Sequence, residues 1–246
     1  MPKPDRGGKR NSAGTGAGGG GPNPADIVTR VVVQSGDEVD LSQYPLEYGE
    51  NDPAMSDEER KLVSDFEEQH RGRKSEYAQI LDDQGKEIHT AKGGKNSCRL
   101  PMWAIMKAKI LTHVHPRGKG EEGLLGGPFS DADMKIFAHN AGMQTIRASA
   151  EEGIYSMSKG ADFDAKAFRS WFKAQDKAAQ AQHSADVNQV YADYRAGKIT
   201  LTEAQQGSKD AFNKWMISAH NTLLQGQSQF GYTYRLERWA DNGKNS

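Results

Sequence analysis

Ile110-Leu-Thr-His-Val-His-Pro116 is the stretch that decides the fold, together with Ser130-Asp-Ala-Asp133 beyond a glycine-rich loop. The apolar start of the first segment predicts a buried strand that leads into His113. Pro116 ends this strand, because proline has no backbone N–H to donate to a neighbouring strand. Ser130 then begins a predicted helix, from Asp131 to about Asn140, that buries Met134, Phe137 and Ala138.

The two histidines at the end of this strand, His113 and His115, are candidate metal ligands. Side chains alternate along a strand with a period of two residues, so both rings point the same way. Asp133, one turn into the following helix, can add a carboxylate oxygen. Two imidazoles and one carboxylate leave the fourth tetrahedral position open for water, as in a catalytic zinc site. The spacing therefore predicts a Zn²⁺ site formed by His113, His115 and Asp133.

A zinc hydrolase also needs a general base and a group that stabilises the oxyanion. Glu76, on an upstream predicted strand, is the candidate base for transferring the water proton to the leaving amine; Glu87 is the alternative. Ser130 is the candidate donor to the oxyanion. A second interpretation stays open, in which Ser130 and Asp133 only cap a helix and His113 is a hydrogen-bonded strand residue.

Upstream and downstream of this segment the sequence predicts further strands and a helix. Ser56 and Glu59 have the capping-box pattern that begins a helix. Alternating residues and turn sequences predict two hairpins, Glu76–Asp82 with Lys86–Lys92 and Met143–Ala150 with Ile154–Ser158. Strands and helices in this order predict the α+β fold class, with a mixed sheet and flanking helices.

The last third of the chain changes to a helical pattern. Apolar residues at helical spacing predict two amphipathic helices, the second with a Thr200–Glu203 capping box and an end near Gly226. We interpret their aromatic residues as core or assembly contacts: Phe168, Trp171, Phe172, Tyr191 and Trp215. The alternation of Phe230, Tyr232, Tyr234 and Leu236 then predicts a strand with one apolar face.

These patterns divide the chain into segments. Residues 1–25 form a basic, glycine-rich tail that has too little apolar surface to offset its ordering entropy, so we expect it to be disordered. Its basic residues allow contact with nucleic acid, although we favour a solvated tail: Lys3, Arg6, Lys9 and Arg10. The remaining segments are an extension with a helix (26–71), the metal domain (72–160), a helical extension (161–227) and a terminal strand returning to the sheet (228–246).

Composition excludes several classes of function. The net charge is −1 at pH 7, with 32 basic and 33 acidic residues, so no global attraction to nucleic acid or anionic membrane is expected. Cys98 is the single cysteine, which excludes an intrachain disulfide and a cysteine-based zinc site. No apolar run approaches the roughly 18 residues of a membrane span, and no apolar core follows the basic N-terminus. We therefore expect a protein made in the cytosol, without membrane partners.

The motifs resemble those of a known family. His-x-His-Pro followed by Ser-x-x-Asp, with an upstream glutamate, is similar to the signature of the JAB/JAMM metallo-hydrolases, which include isopeptidases that remove ubiquitin-like modifiers. A narrower likeness, over about residues 72–160 and 228–240, is to the C-terminal domain of bacteriophage head-morphogenesis (minor capsid) proteins. It is carried by Glu76–Ile88, Leu111–Pro116, Phe129–Asp133, Glu151–Ser156 and Gly231–Glu237.

The resemblance implies a JAMM-like sheet, a zinc ion on His113, His115 and Asp133, Glu76 as base and Ser130 as oxyanion donor. The chain departs from the family pattern in two places. Its loop Arg117–Phe129 is longer, and Val114 replaces a small polar residue. The implied function is a phage head or virion-associated protein with a peptide or isopeptide hydrolase module, whose partners are protein substrates or virion proteins. Its location would be the cytoplasm of a bacterial host or the virion.

Two alternative functions remain open at this point. The first is a structural or interaction protein of the phage particle whose metal site is vestigial. The second is a host-type deconjugating isopeptidase, which the motif fits but the narrower phage resemblance does not. A metal between the two histidines and Asp133, with Glu76 facing the open position, would favour the enzyme.

Overall fold

A computed structural model describes residues 46, 48–50, 52–95, 97–117, 121 and 123–239 of the chain. The predicted tail, residues 1–25, and most of the predicted 26–71 extension before its helix lie outside these residues. In chain order the elements are α1 (Asp57–His70), β1 (Tyr77–Leu81), β2 (Glu87–Lys92), α2 (Met102–Lys107), β3 (Ile110–Val114), α3 (Asp131–His139), β4 (Thr145–Ala150), β5 (Gly153–Lys159), α4 (Ala165–Arg195), α5 (Leu201–Phe230) and β6 (Tyr232–Glu237).

The described strands form one six-stranded sheet in the order β2-β1-β3-β4-β5-β6. Strands β3 and β4 pair in parallel, and all other neighbours pair antiparallel. A parallel pair needs a long crossover connection, and here the crossover contains α3 and the loop before it. The predicted α+β class is confirmed: a mixed sheet carries helices on its faces. None of the described helices has the apolar length needed to cross a membrane.

One face of the sheet carries the main apolar core. Ala78, His113 and Ala148 are neighbours in register on this face, so His113 lies among apolar residues. Helices α3, α4 and α5 cover the face with buried side chains: Met134, Phe137, Phe168, Phe172, Leu223 and Phe230. Removing each of the larger side chains from water contributes roughly 1.5–3 kcal/mol. Because α4 and α5 both supply such side chains to this cluster, their hairpin is part of the same core.

The opposite face is polar at its centre and is covered by α1. Arg147 on β4 is 1% exposed there and forms a two-pronged ion pair with Glu67 of α1, at 2.8 and 3.0 Å. Its third nitrogen lies 3.0 Å from Glu237 of β6. Burial alone would lower the pKa of Arg147, but the two carboxylates raise it above its ordinary value. Thr112 on β3 also donates to Glu67, at 2.6 Å.

The segment before α1 continues this polar network. The Asp52 carboxylate is fully buried and accepts hydrogen bonds from Ser156 at 2.8 Å and Ser158 at 2.5 Å, both on β5. The Asp52 backbone N–H donates to Glu237 at 2.7 Å. Three separate parts of the sequence are therefore tied to one polar face of the sheet.

The final strand pairs with β5 at the edge of the sheet, as its alternation predicts, but its start differs from the prediction. The second long helix does not end near Gly226: it runs to Phe230, and Gly231 caps it in the left-handed conformation (φ 70°). Gly226 lies inside the helix, where its missing side chain leaves room for Trp171 and Tyr232, since a Cβ there would lie 2.5 Å from each. Phe230 therefore ends a helix, and the strand begins at Tyr232.

The Arg147 network generates a stability prediction. Arg147→Met leaves two buried carboxylates without their cation, so the free energy of unfolding should fall by about 3–5 kcal/mol. Arg169→Met is the matched control: it removes an arginine from the 2.8 Å pair with Asp131, whose side chain is 46% exposed, where about 0–1 kcal/mol is expected. Urea unfolding of both variants measures the difference, and equal losses would contradict a special contribution of the buried network.

Candidate metal centre

The predicted site residues lie together at the C-terminal end of β3. They line a cleft of about 540 Å³ between the sheet, the loop before α3 and the hairpin of α4 and α5. The residues that line it include the three predicted metal ligands, the first-choice base and the predicted oxyanion donor: His113, His115, Asp133, Glu76 and Ser130. The strand periodicity and the crossover to α3 thus bring side chains from three elements to one place.

The two histidine rings are neighbours, with centroids 5.0 Å apart and planes tilted by 53°. Their Nε2 atoms are 3.1 Å apart, and His113 is only 4% exposed. His115 Nδ1 lies 3.0 Å from the carbonyl oxygen of Gly126. Because a carbonyl only accepts, the proton of neutral His115 must be on Nδ1, which leaves the Nε2 lone pair directed at His113. A second hydrogen bond of this kind orients most histidines that bind metals.

Removal from water, together with the neighbouring His113, lowers the pKa of His115 to about 4. The ring is therefore neutral at pH 7, which is the form that binds a metal ion. His113 Nδ1 is buried and has no hydrogen-bond partner among the described residues. Since His115 Nε2 can only accept, the 3.1 Å contact between the rings is a hydrogen bond donated by His113 Nε2–H. To direct an Nε2 lone pair at a metal, His113 would carry its proton on Nδ1 instead.

Asp133 lies beside the histidines but is also a helix-capping residue. Its Oδ2 is 3.7 Å from His113 Nε2. The same oxygen accepts from the Ser130 backbone N–H at 2.8 Å and from the Ser130 hydroxyl at 2.6 Å, while Ser130 Oγ accepts from the Asp133 N–H. Burial alone would raise the pKa of Asp133, but His113 and the bonds from Ser130 hold it below its ordinary value. The carboxylate is therefore ionised beside the imidazoles.

Ser130 serves the helix in this arrangement. It is the N-cap of α3, and a complete capping box joins it to Asp133. Its hydroxyl hydrogen is donated to Asp133 Oδ2, so donation to an oxyanion would require that bond to be released. The same arrangement of Ser130 and Asp133 is therefore consistent with both interpretations of the Ser-x-x-Asp pattern, helix capping and metal binding.

Glu76 lies immediately before β1, which begins at Tyr77. The sequence predicted that Glu76 would be the first residue of this strand. Its backbone still pairs with Gly93 and Gly94, at 2.7 and 2.8 Å, and its side chain is on the same face as Ala78 and His113 because it is two residues from Ala78. Burial raises the pKa of the carboxyl; His113 opposes this rise and Asp133 adds to it, and the Cys98 backbone N–H donates to the carboxylate. A raised pKa strengthens Glu76 as a proton acceptor.

Glu87, the alternative base, is in a different place. Its carboxylate accepts a 2.7 Å hydrogen bond from Gln79. Gln79 is paired in register with Thr112, so it lies on the opposite face of the sheet from His113. Glu87 is not among the residues that line the cleft, so of the two candidate bases only Glu76 lies at the site.

The spacing of the two histidines is close to what a tetrahedral zinc requires, and the spacing to Asp133 is longer. Two nitrogens bound to one tetrahedral zinc at about 2.0–2.1 Å are roughly 3.3 Å apart, close to the 3.1 Å between the histidines. The distance from His113 to Asp133 Oδ2 is longer, at 3.7 Å. Within the described residues no three His, Cys, Asp or Glu side chains have the spacing of a complete ligand group, so Asp133 would have to move toward the histidines to complete one. In residue type, two imidazoles and a carboxylate match the ligands that zinc takes.

The roof of the cleft comes from the helical extension, whose aromatic residues were predicted to be core or assembly contacts. Phe172 and Asp176 of α4 and Phe212, Trp215 and Met216 of α5 line the cleft. Trp215 is stacked on His183 with ring centroids 5.0 Å apart, which holds its side chain between the two helices. The apolar stripe of each helix was visible in the sequence, but its partner was not, because helix periodicity does not say what a face contacts.

Comparison of the chain with known protein families, with curated proteins and with solved structures found no match in any of the three.

Proposed function

We propose that this chain is a phage-type head or virion-associated protein that carries a zinc-dependent, JAMM-like hydrolase module for a peptide or isopeptide amide. The observation that supports it most is the convergence of two histidine Nε2 atoms, 3.1 Å apart, with the Asp133 carboxylate in a cleft that Glu76 also lines. His113, His115 and Asp133 would hold the metal. Zinc, when bound, supplies Lewis acidity for polarising an amide carbonyl and for acidifying water.

Glu76 is proposed as the base. Its carboxyl has a pKa raised by burial, and it lines the same cleft as the histidines. It would take a proton from the attacking water and transfer it to the leaving amine. Ser130, at the mouth of the same cleft, would donate its hydroxyl to the oxyanion once the bond to Asp133 is released.

The cleft itself favours a polypeptide as the substrate. Residues of the sheet and of two helices line it, and apolar side chains form its roof: Phe172, Phe212, Trp215 and Met216. Phe129 and Ala150 add apolar surface near the histidines. Apolar and aromatic side chains beside a group of convergent polar residues are typical of ligand-binding clefts, and here the apolar part would take a substrate side chain next to the reacting bond.

A non-catalytic structural protein of the phage particle is the second candidate. It is favoured by one observation: the Asp133 oxygen nearest to His113 is already bonded twice to Ser130. In that case the capping box begins α3 and the histidine pair only fills the core. The two candidates differ in metal content and in the role of Glu76.

The first test is metal content. Protein purified from zinc-supplied medium without chelators should carry close to one zinc per chain, measured by mass spectrometry of the metal. The double variant His113→Ala/His115→Ala should carry none, because it removes both nitrogens. His139→Ala is the control, since this exposed ring bonds only the Lys135 carbonyl at the end of α3 and should leave the zinc in place. A metal-free wild-type protein would contradict the zinc site.

The second test separates the enzyme from the structural protein. Glu76→Gln keeps the size of the side chain but cannot take a proton, so it should retain zinc and lose cleavage by about 10² to 10⁴. Glu87→Gln is the matched control, because that carboxylate lies on the other face of the sheet, and it should cleave like the wild type. Cleavage of co-expressed virion proteins and of ubiquitin-like conjugates is measured by the appearance of smaller products on denaturing gels.

Equal cleavage by the wild type and Glu76→Gln would rule out the base. Zinc-loaded wild type that cleaves neither substrate class, while particles form normally with Glu76→Gln, would favour the structural protein.

A further inference from the structure

The segment Gly123–Phe129, which precedes α3, forms one wall of the cleft and is held by a buried carboxylate from outside the site. Glu152, in the turn between β4 and β5, is 7% exposed. It accepts hydrogen bonds from the backbone N–H groups of Gly126 at 3.0 Å and Gly127 at 2.9 Å. The Tyr155 hydroxyl also donates to it, at 2.6 Å.

The chemistry of these partners selects a carboxylate. Two backbone N–H groups and one hydroxyl are directed at the two oxygens of Glu152, and an ionised carboxylate is the side-chain group that only accepts. A carboxamide of the same shape would turn an NH₂ group toward an N–H donor. Burying that mismatch costs about 1–3 kcal/mol for each unsatisfied group, so the loop would be expected to move away.

The same loop orients a candidate metal ligand. The Gly126 carbonyl shares a peptide group with the Gly127 N–H that Glu152 holds, and it accepts from His115 Nδ1 at 3.0 Å. Gly126 has no room to shift toward the sheet, since a Cβ there would lie 2.5 Å from the Cβ of Ala150. Gly127 takes a positive φ of 75°, which lets the chain leave the contact at once. The Gly126 carbonyl is therefore held by the bonds to Glu152 on one side and by the close contact with Ala150 on the other.

The helical extension supports the loop from the opposite side. Asn213 of α5 is fully buried. Its Oδ1 accepts from the Leu125 N–H at 2.9 Å, and its Nδ2 donates to the Gly123 carbonyl at 2.8 Å. The loop is thus bonded to a turn of the sheet at Gly126 and Gly127 and to a helix at Gly123 and Leu125.

From these contacts we infer that Glu152 is a positioning residue for His115. Through the Gly126 carbonyl it fixes the imidazole as the Nδ1–H tautomer and aims the Nε2 lone pair at His113. Asn213 secures the same loop from α5. The expected effect on zinc affinity rests on the proposed zinc site. The expected effect on the His115 tautomer does not.

The test compares Glu152→Gln with the wild type. Histidine side-chain ¹H–¹⁵N spectra of the metal-free protein at pH 7.5 report which ring nitrogen carries the proton. The wild type should show His115 as one Nδ1–H tautomer, and Glu152→Gln should add an Nε2–H population. Zinc affinity, measured by competition with a chelator, should fall about 10- to 100-fold, as for other outer partners of metal ligands.

Glu237→Gln is the matched control. This carboxylate is also buried, at 3% exposed, but it pairs with Arg147 on the opposite face of the sheet. It should lower stability without changing the His115 tautomer, so a general loss of stability is distinguished from a loss of orientation.

The outcomes are distinct. A pure Nδ1–H tautomer in folded Glu152→Gln, or the same tautomer change in Glu237→Gln, would overturn the inference. If the wild type binds no zinc but Glu152→Gln still adds the Nε2–H population of His115, the zinc site is removed and the positioning role stays intact. If Glu152→Gln does not fold, hydrogen exchange of the wild type decides: the Gly126 and Gly127 amides should be protected, and rapid exchange of both would overturn the inference.

Discussion

Arg147 is buried between two carboxylates that come from opposite ends of the described chain, Glu67 on α1 and Glu237 on β6. A guanidinium removed from water in this way is stable only while both partners are in place. The pairing therefore ties the helix that precedes the sheet, a central strand and the terminal edge strand into one unit. The register of β3 against β4 is part of the same arrangement, because Thr112 lies beside Arg147 and donates to Glu67.

The orientation of side chains on the polar face also determines which side chains point to the opposite face. Strand side chains alternate, so fixing Thr112 toward α1 directs His113 to the opposite side. There the ring lies next to Ala78 and Ala148, under helices that exclude most of the solvent. One face of the sheet thus holds the elements together by ion pairing, and the other provides an apolar setting in which a few polar groups converge.

The cleft depends on parts of the chain that are far apart in sequence. Its floor is the end of β3 and the residue before β1, one wall is the loop before α3, and its roof is the hairpin of α4 and α5. Glu152 and Asn213 join that loop to the sheet and to α5. The helical extension is consequently part of the candidate site as well as of the core.

The sequence alone determined the local features. Strand alternation placed His113 and His115 on one side, the Ser56, Ser130 and Thr200 capping boxes began helices where they were predicted, and Tyr232, Tyr234 and Leu236 marked the last strand. Period and capping depend on neighbours within a few residues, so they can be read from the chain. Only the tertiary structure decided that Glu76 and not Glu87 enters the cleft, that Gly226 is packed within a helix, and that Glu152 and Asn213 hold the loop beside His115. Those outcomes depend on which distant surfaces meet, and neither periodicity nor residue type specifies that.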